Sequence, residues 1–290
     1  MTDSQDKGEA QVVQGDKLET TMLGKHTDYV SVYTPSLLCP ISRAESRQSL
    51  GLSEGEELPF LGVDIWTAFE LSWLNAKGLP QVAVAEFHFP CTSPNIVESK
   101  SFKLYLNSFN QTVFDNFNDV ARTLETDLST AAGAPVMVSL ERLSQYAARG
   151  VGHFTGECLD ELDVEIEHYH PAPELLGVSA SSDVVAKSLY SDLLKTNCPV
   201  TGQPDWASVF IQYRGREIDQ ESLLKYLVSF REHQDFHEHC LERIYMDIME
   251  RCQPESLQVY ARYTRRGGLD INPFRSSEGV QADDIRLARQ

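Results

Sequence analysis

The chain has 290 residues, 41% hydrophobic and 23% charged, enough to bury a core as one large domain or two of ordinary size. Its 43 acidic residues against 25 basic ones give a formal net charge of −18. Such a surface repels phosphate backbones and anionic membranes, which argues against a nucleic-acid or membrane partner and leaves a small substrate in a locally basic pocket.

Residues 1–22 are polar, rich in Gln, Asp and Glu, and are expected to form a mobile tail. Segment 64–75 reads as helical or mixed, and segment 81–89 alternates as a strand. The run Glu98-Ser99-Lys100-Ser101-Phe102-Lys103-Leu104-Tyr105 follows, a polar cluster that turns apolar and enters a core element. Val120, Leu124 and Leu128 lie four apart, as one helical face requires, and a short β-like run closes this half at 136–138. A link is expected near 145–152. Beyond it, segment 182–196 again reads as helical or mixed, and segment 207–213 as a strand.

The chain repeats itself. Tyr105-Leu106-Asn107-Ser108-Phe109 recurs as Tyr226-Leu227-Val228-Ser229-Phe230, an offset of 121, and at that offset Val120, Leu124 and Leu128 meet Leu241, Tyr245 and Met249. Each half therefore holds antiparallel strands around a helical hairpin, an α+β arrangement with paired helices on one sheet face. The polar residues are not repeated. Asn75-Ala76 stands against Asn197-Cys198, and Glu98-Ser99-Lys100 against Asp219-Gln220-Glu221. One half supplies a thiol and the other a lysine motif, which implies a composite site between them.

Cys198 is either a small buried hydrophobe or a nucleophile. Asp205, seven residues on, is either an Asx-turn residue after Pro204 or a general acid. Phe236-His237-Glu238-His239, with His233 four residues before His237, reads as a metal-binding helix face or a solvated one. Arg265-Arg266-Gly267-Gly268 suits a phosphorylated ligand, since arginine forks match phosphate and glycine admits close backbone approach, or is a plain basic turn. No GxGxxG follows a strand and no P-loop is present. The cysteines Cys39, Cys91, Cys158, Cys198, Cys240 and Cys252 include no CxxC pair, so neither a disulfide framework nor a zinc ribbon is indicated. No apolar run is long enough to span a bilayer and the first residues lack a leader pattern, so a cytoplasmic location is expected.

The lysine motif, Asn197-Cys198-Pro199 with Asp205-Trp206, and Phe236-His237-Glu238 together resemble the long, two-module NADPH-dependent 7-cyano-7-deazaguanine reductases of queuosine biosynthesis, a tRNA-modification pathway. The resemblance covers the chain from about Leu23 to Gln290. It implies tandem tunnelling-fold (T-fold) modules at 23–147 and 148–290, with antiparallel sheets that assemble into a barrel, and a homodimer. It also implies four-electron reduction of a nitrile to a primary amine with two NADPH equivalents and no metal. Cys198 would form a covalent thioimide and Asp205 would be the acid. Val97, Glu98, Ser99, Phe236, His237 and Glu238 would bind the substrate, and Ser99, Lys100, Arg266 and Gly267 would bind NADPH. Two other readings stand beside it. A GTP cyclohydrolase I-like metal hydrolase would need a Cys-x-x-His step, where Thr201 stands here. A non-catalytic purine- or pterin-binding module would not need the thiol.

Overall fold

A computed structural model of the chain describes residues 29–180, 183–283 and 285–290; the expected N-terminal tail lies outside them. The first half runs β1 (Pro40–Ser42), α1 (Arg43–Gln48), β2 (Leu61–Leu74), β3 (Pro80–Pro90), β4 (Asn95–Val97), α2 (Ser99–Asn107), α3 (Phe117–Ala132), β5 (Met137–Glu141) and α4 (Leu143–Ala148). The second runs β6 (Glu157–Cys158), β7 (Val184–Asn197), β8 (Pro204–Arg216), α5 (Gln220–Ser229), α6 (His237–Cys252), β9 (Ser256–Tyr263) and β10 (Leu269–Ser276). The proposed duplication is visible as matching strand pairs and helix pairs in the two halves.

The sheets of the two halves were expected to assemble into a barrel. The structure has one open eight-stranded sheet in the order β5-β3-β2-β10-β9-β8-β7-β6, with β1 and β4 as a separate pair. The halves are joined where β10 runs antiparallel to β2, Ile271 opposite Trp66. Helices α2, α3, α5 and α6 cover one face. Under the first pair lie Trp66, Phe87, Phe102, Tyr105 and Phe109; under the second lie Val209, Ile211, Leu227, Ile244 and Val259. On the opposite face Phe154, Tyr260, Phe274 and Leu287 make a smaller cluster.

Residues 64–74 and 184–196 are not helical or mixed; they belong to the strands β2 and β7. The reason is a bulge in each. Pairing slips between Ala68 and Leu71 in β2 and between Ser191 and Leu194 in β7. An extra residue breaks the two-residue alternation and mimics a longer period. The expected link at 145–152 begins with the last residues of α4.

A buried ionic cluster ties the halves together. Arg275 on β10 holds Asp64 of β2 at 2.7 Å and Glu242 of α6 at 2.8 Å. Arg43 meets Asp64 at 2.5 Å, and Arg47 meets Glu242 at 2.7 Å. Burial alone would raise the Glu242 carboxyl, but Arg275, Arg47 and Arg43 hold it down at about 2. Removing one partner strands the others without solvent. Arg275→Ala is therefore expected to cost about 3–5 kcal/mol of stability; urea unfolding read by tryptophan fluorescence measures it, and a loss under about 1 kcal/mol would show the cluster to be dispensable.

A cleft where the two halves meet

The end of β7 delivers Cys198. Beyond Asn197 the chain turns: Cys198 N donates to Gln203 O at 2.9 Å and Gly202 N to Cys198 O at 3.0 Å, with Gly202 at φ +67°. The turn aims donors at the sulfur. Burial pushes the Cys198 thiol up, but hydrogen bonds from the Thr201 hydroxyl, the Thr201 and Val200 backbone and Arg266 outweigh it, so the net pKa lies below that of an ordinary cysteine. A thiolate held this way is the nucleophilic form. Asn197 also fixes the neighbouring segment: its N donates to His233 O at 2.8 Å and its O accepts from Asp235 N at 3.2 Å. That contact brings the start of α6 against Cys198.

Asp205 is the second residue of β8, not the apex of a turn, and is buried. Its Oδ1 lies 2.8 Å from Arg266 Nε, without the alignment of a hydrogen bond, and its Oδ2 is 3.4 Å from His237 Nε2. The His237 ring lies flat on Tyr263, centroids 3.7 Å apart, and its Nδ1 is buried without a partner. An unpartnered buried ring nitrogen can serve a ligand.

The segment 236–239 is not a solvated helix face. Phe236 caps α6, and His237, Glu238 and His239 are buried in its first turn. The histidines do not converge on one point: His237 faces Asp205, while His239 Nδ1 bonds Asp235 and His233 Nε2 lies 3.4 Å from it. Among the described residues no group of three or more His, Cys, Asp or Glu side chains is arranged to hold a metal. Glu238 is the acid of the cleft whose pKa is raised. Burial first, then the charge of Asp64, push it up to about 7 against the pull of Arg43 and His237.

The first half contributes Val97 and Ser99, which line the cleft with Trp66 and Ile96. Glu98 is placed differently from the expectation. It is fully buried as the cap of α2, accepting from Lys100 N at 2.8 Å and Ser101 N at 2.7 Å, and does not line the cleft. Capping satisfies two otherwise unpaired N–H groups and fixes the helix start that presents Ser99. Lys100 does not line the cleft either.

Gly267 and Gly268 turn β9 into β10 at φ +57° and +74°. A Cβ on Gly267 would stand 2.9 Å from Lys103 Nζ, so the glycine makes room for that lysine. Burial and the neighbouring Arg266 lower the Lys103 pKa, against the pull of Glu70, Glu98 and Asp205. Two crowded cations beside an open glycine backbone, on so acidic a chain, fit an anionic ligand. Lys103 stands three residues after Lys100, on nearly the same helix face, the sequence signal for its place beside the cleft. Asp235 was missed, though its spacing of four from His239 is that of a helical pair.

Comparison with known proteins gives two family matches and close relatives. Residues 29–140 match the family described as nitrile reductase, 7-cyano-7-deazaguanine-reductase N-term, and residues 204–282 match that described as QueF-like protein. The NADPH-dependent 7-cyano-7-deazaguanine reductases of Bordetella avium and Bordetella pertussis are each 57% identical over 274 residues, covering 94% of this chain and 99% of theirs. Among solved structures, the archaeosine synthase QueF-Like in its apo form aligns with 35% of this chain and 99% of its own, at 20% identity and a TM-score of 0.30. With a thiolate-favouring turn and buried carboxylates in one cleft, and more than half its residues shared with these reductases, the chain belongs to the NADPH-dependent 7-cyano-7-deazaguanine reductase family.

Proposed function

We propose that this protein reduces the nitrile of 7-cyano-7-deazaguanine to the primary amine through a covalent thioimide on Cys198. The observation that carries the reading is the meeting of Cys198, Asp205, His237 and Glu238 in one cleft closed by Val97 and Ser99 of the other half. A nitrile carbon is a weak electrophile. Attack by the Cys198 sulfur forms a C–S bond and breaks one C–N π bond, and the electron pair on nitrogen needs a proton. We assign that proton to His237, relayed to the nitrogen through Asp205, whose carboxylate lies 3.4 Å from the ring. NADPH, when bound, supplies the hydrides that carry the thioimide to the amine. The chain's own part is to hold the carbon at sulfur, deliver protons at nitrogen, and keep the partly reduced product from water.

Glu238 suits the guanine-type edge of the base, where a ring N–H and an exocyclic amine offer adjacent donors to one carboxylate. Phe236 and His237 flank it, and Val97 and Ser99 border it from the first half, with Glu98 capping the helix that carries Ser99. The cleft as it stands has about 30 Å³ of free room, so seating a bicyclic base requires side chains to move. Ser99, Arg266 and Gly267, with Lys103 beside them, form the cofactor's anion site, and Lys100 lies one turn before Lys103. No metal enters this mechanism.

The pH dependence follows from Glu238. Only its charged form accepts both donors, and its pKa is raised to about 7. Binding is full above that value and weakens about tenfold per pH unit below it. Titrating substrate into Cys198→Ala protein, which cannot trap it, checks this. Glu238→Gln is expected to weaken binding and remove the pH step; a step that survives in Glu238→Gln belongs to another group.

The single sheet with four helices on one face is read as two tandem T-fold modules, divided near residue 148, whose free edges close into a barrel on forming a homodimer. Light scattering should give twice the chain mass. A monomer active at all concentrations would remove the shared barrel. A cytoplasmic location accompanies this reading; no helix among the described residues is long and apolar enough to cross a membrane.

A further inference from the structure

The buried ionic cluster has an uneven count. Among the described residues Arg43, Arg47 and Arg275 pair with Asp64 and Glu242, all of them buried, so three positive charges meet two negative ones. Every one of these side chains is out of water, where an uncompensated charge is costly. The surplus lies beside the cleft. Glu242 accepts from Arg47 and Arg275 and stands 4.0 Å from Arg43. Glu238 is four residues before Glu242 on α6, one turn along the same helix face. It too is buried, and it is the one further carboxylate on that face of the helix beside the cluster.

We infer that Arg43 is a positioning residue that acts through charge: it offsets Asp64 beside Glu238, so that Glu238 can ionise and recognise the substrate. With Glu238 ionised the group of six is neutral, three arginines against three carboxylates. The arrangement also gives the first half a part in recognition by the second, since Arg43 and Asp64 come from α1 and β2. The inference rests on the reading of Glu238 as the acceptor of the base's donors.

Other charges face Glu238 as well. Asp64 on β2 opposes its ionisation, and His237 on its own helix favours it. Asp205 on β8, Asp235 and Arg266 line the same cleft, and Cys240 and Tyr263 lie behind it. Arg43 is the arginine that bears on Glu238. Asp64 keeps Arg275 when Arg43 is gone, so the variant alters charge more than packing.

The test is the pH dependence of 7-cyano-7-deazaguanine binding by calorimetry, in Cys198→Ala protein with and without Arg43→Gln. Loss of the charge should move the midpoint up by about one pH unit. Affinity then falls about fivefold at neutral pH and returns to the parent value about two units above the new midpoint. Arg43→Lys, which keeps the charge and loses the planar fork, should restore most of the original midpoint. If Arg43→Gln does not fold, Arg47→Gln removes a charge from the same cluster and should shift the midpoint the same way by less. An unmoved midpoint, or a loss of affinity equal at every pH, would overturn the inference and leave the cluster a structural tie. If Glu238→Gln binds as well as its parent, the reading of Glu238 itself fails, which is a separate result.

Discussion

Cys198→Ala is expected to abolish turnover, by about 10⁴-fold or more, while the protein remains folded and still binds the nitrile. The size follows from the reaction. Without sulfur the hydride must reach an unactivated nitrile, and no other nucleophile lines the cleft with the same support. The other cysteines do not substitute. Cys91, Cys240 and Cys252 are buried, and burial raises each thiol above the ordinary range. The check is intact-mass spectrometry of protein with 7-cyano-7-deazaguanine and no cofactor, alongside NADPH oxidation. Wild-type protein should gain the mass of the substrate, and Cys198→Ala should gain nothing. An adduct that persists in Cys198→Ala would place the covalent step on another residue.

Asp205→Asn is the second large effect. The amide keeps the shape but gives up the acid, and general acid catalysis contributes on the order of 10²- to 10⁴-fold. On the proposed roles, Asp205 at the reacting end and Glu238 at the recognition end, the loss should fall on kcat more than on substrate affinity. The substitution also frees Arg266 from its ion pair at 2.8 Å. Arg266 reaches the Cys198 sulfur too, so a modest change in cofactor affinity should accompany the fall in rate. Single-turnover rates separate the steps: adduct formation should slow together with NADPH oxidation. If the adduct forms at the wild-type rate, Asp205 serves only a later step.

Much of this was legible in the chain because its signals are local. The Tyr-Leu-x-Ser-Phe repeat, the helix phase of Val120, Leu124 and Leu128, and the unequal polar residues at Asn75-Ala76 and Asn197-Cys198 led to two related halves and a composite cleft. Cys198 and Asp205 lie seven residues apart in sequence and meet across one hairpin, β7 to β8. What was missed depends on events that leave no local trace. The bulges at Ala68–Leu71 and Ser191–Leu194 disguised two strands by spoiling their alternation. The burial of His237, Glu238 and His239 depends on β7 docking through Asn197, not on the helix pattern. Arg47 and Glu242 are 195 positions apart, and nothing in either neighbourhood announces the other. Glu98 stands at the head of the lysine motif, and an acid just before a helix is also a cap: its oxygens accept from Lys100 N and Ser101 N.

The most direct measurement is the stoichiometry of NADPH oxidation at 340 nm against added 7-cyano-7-deazaguanine, with the product identified by mass. A nitrile takes four electrons to become an amine, so the account predicts two NADPH oxidised per nitrile and a primary amine as the only product. No substrate-dependent oxidation by folded protein, or a product with the nitrile hydrolysed instead of reduced, would contradict it.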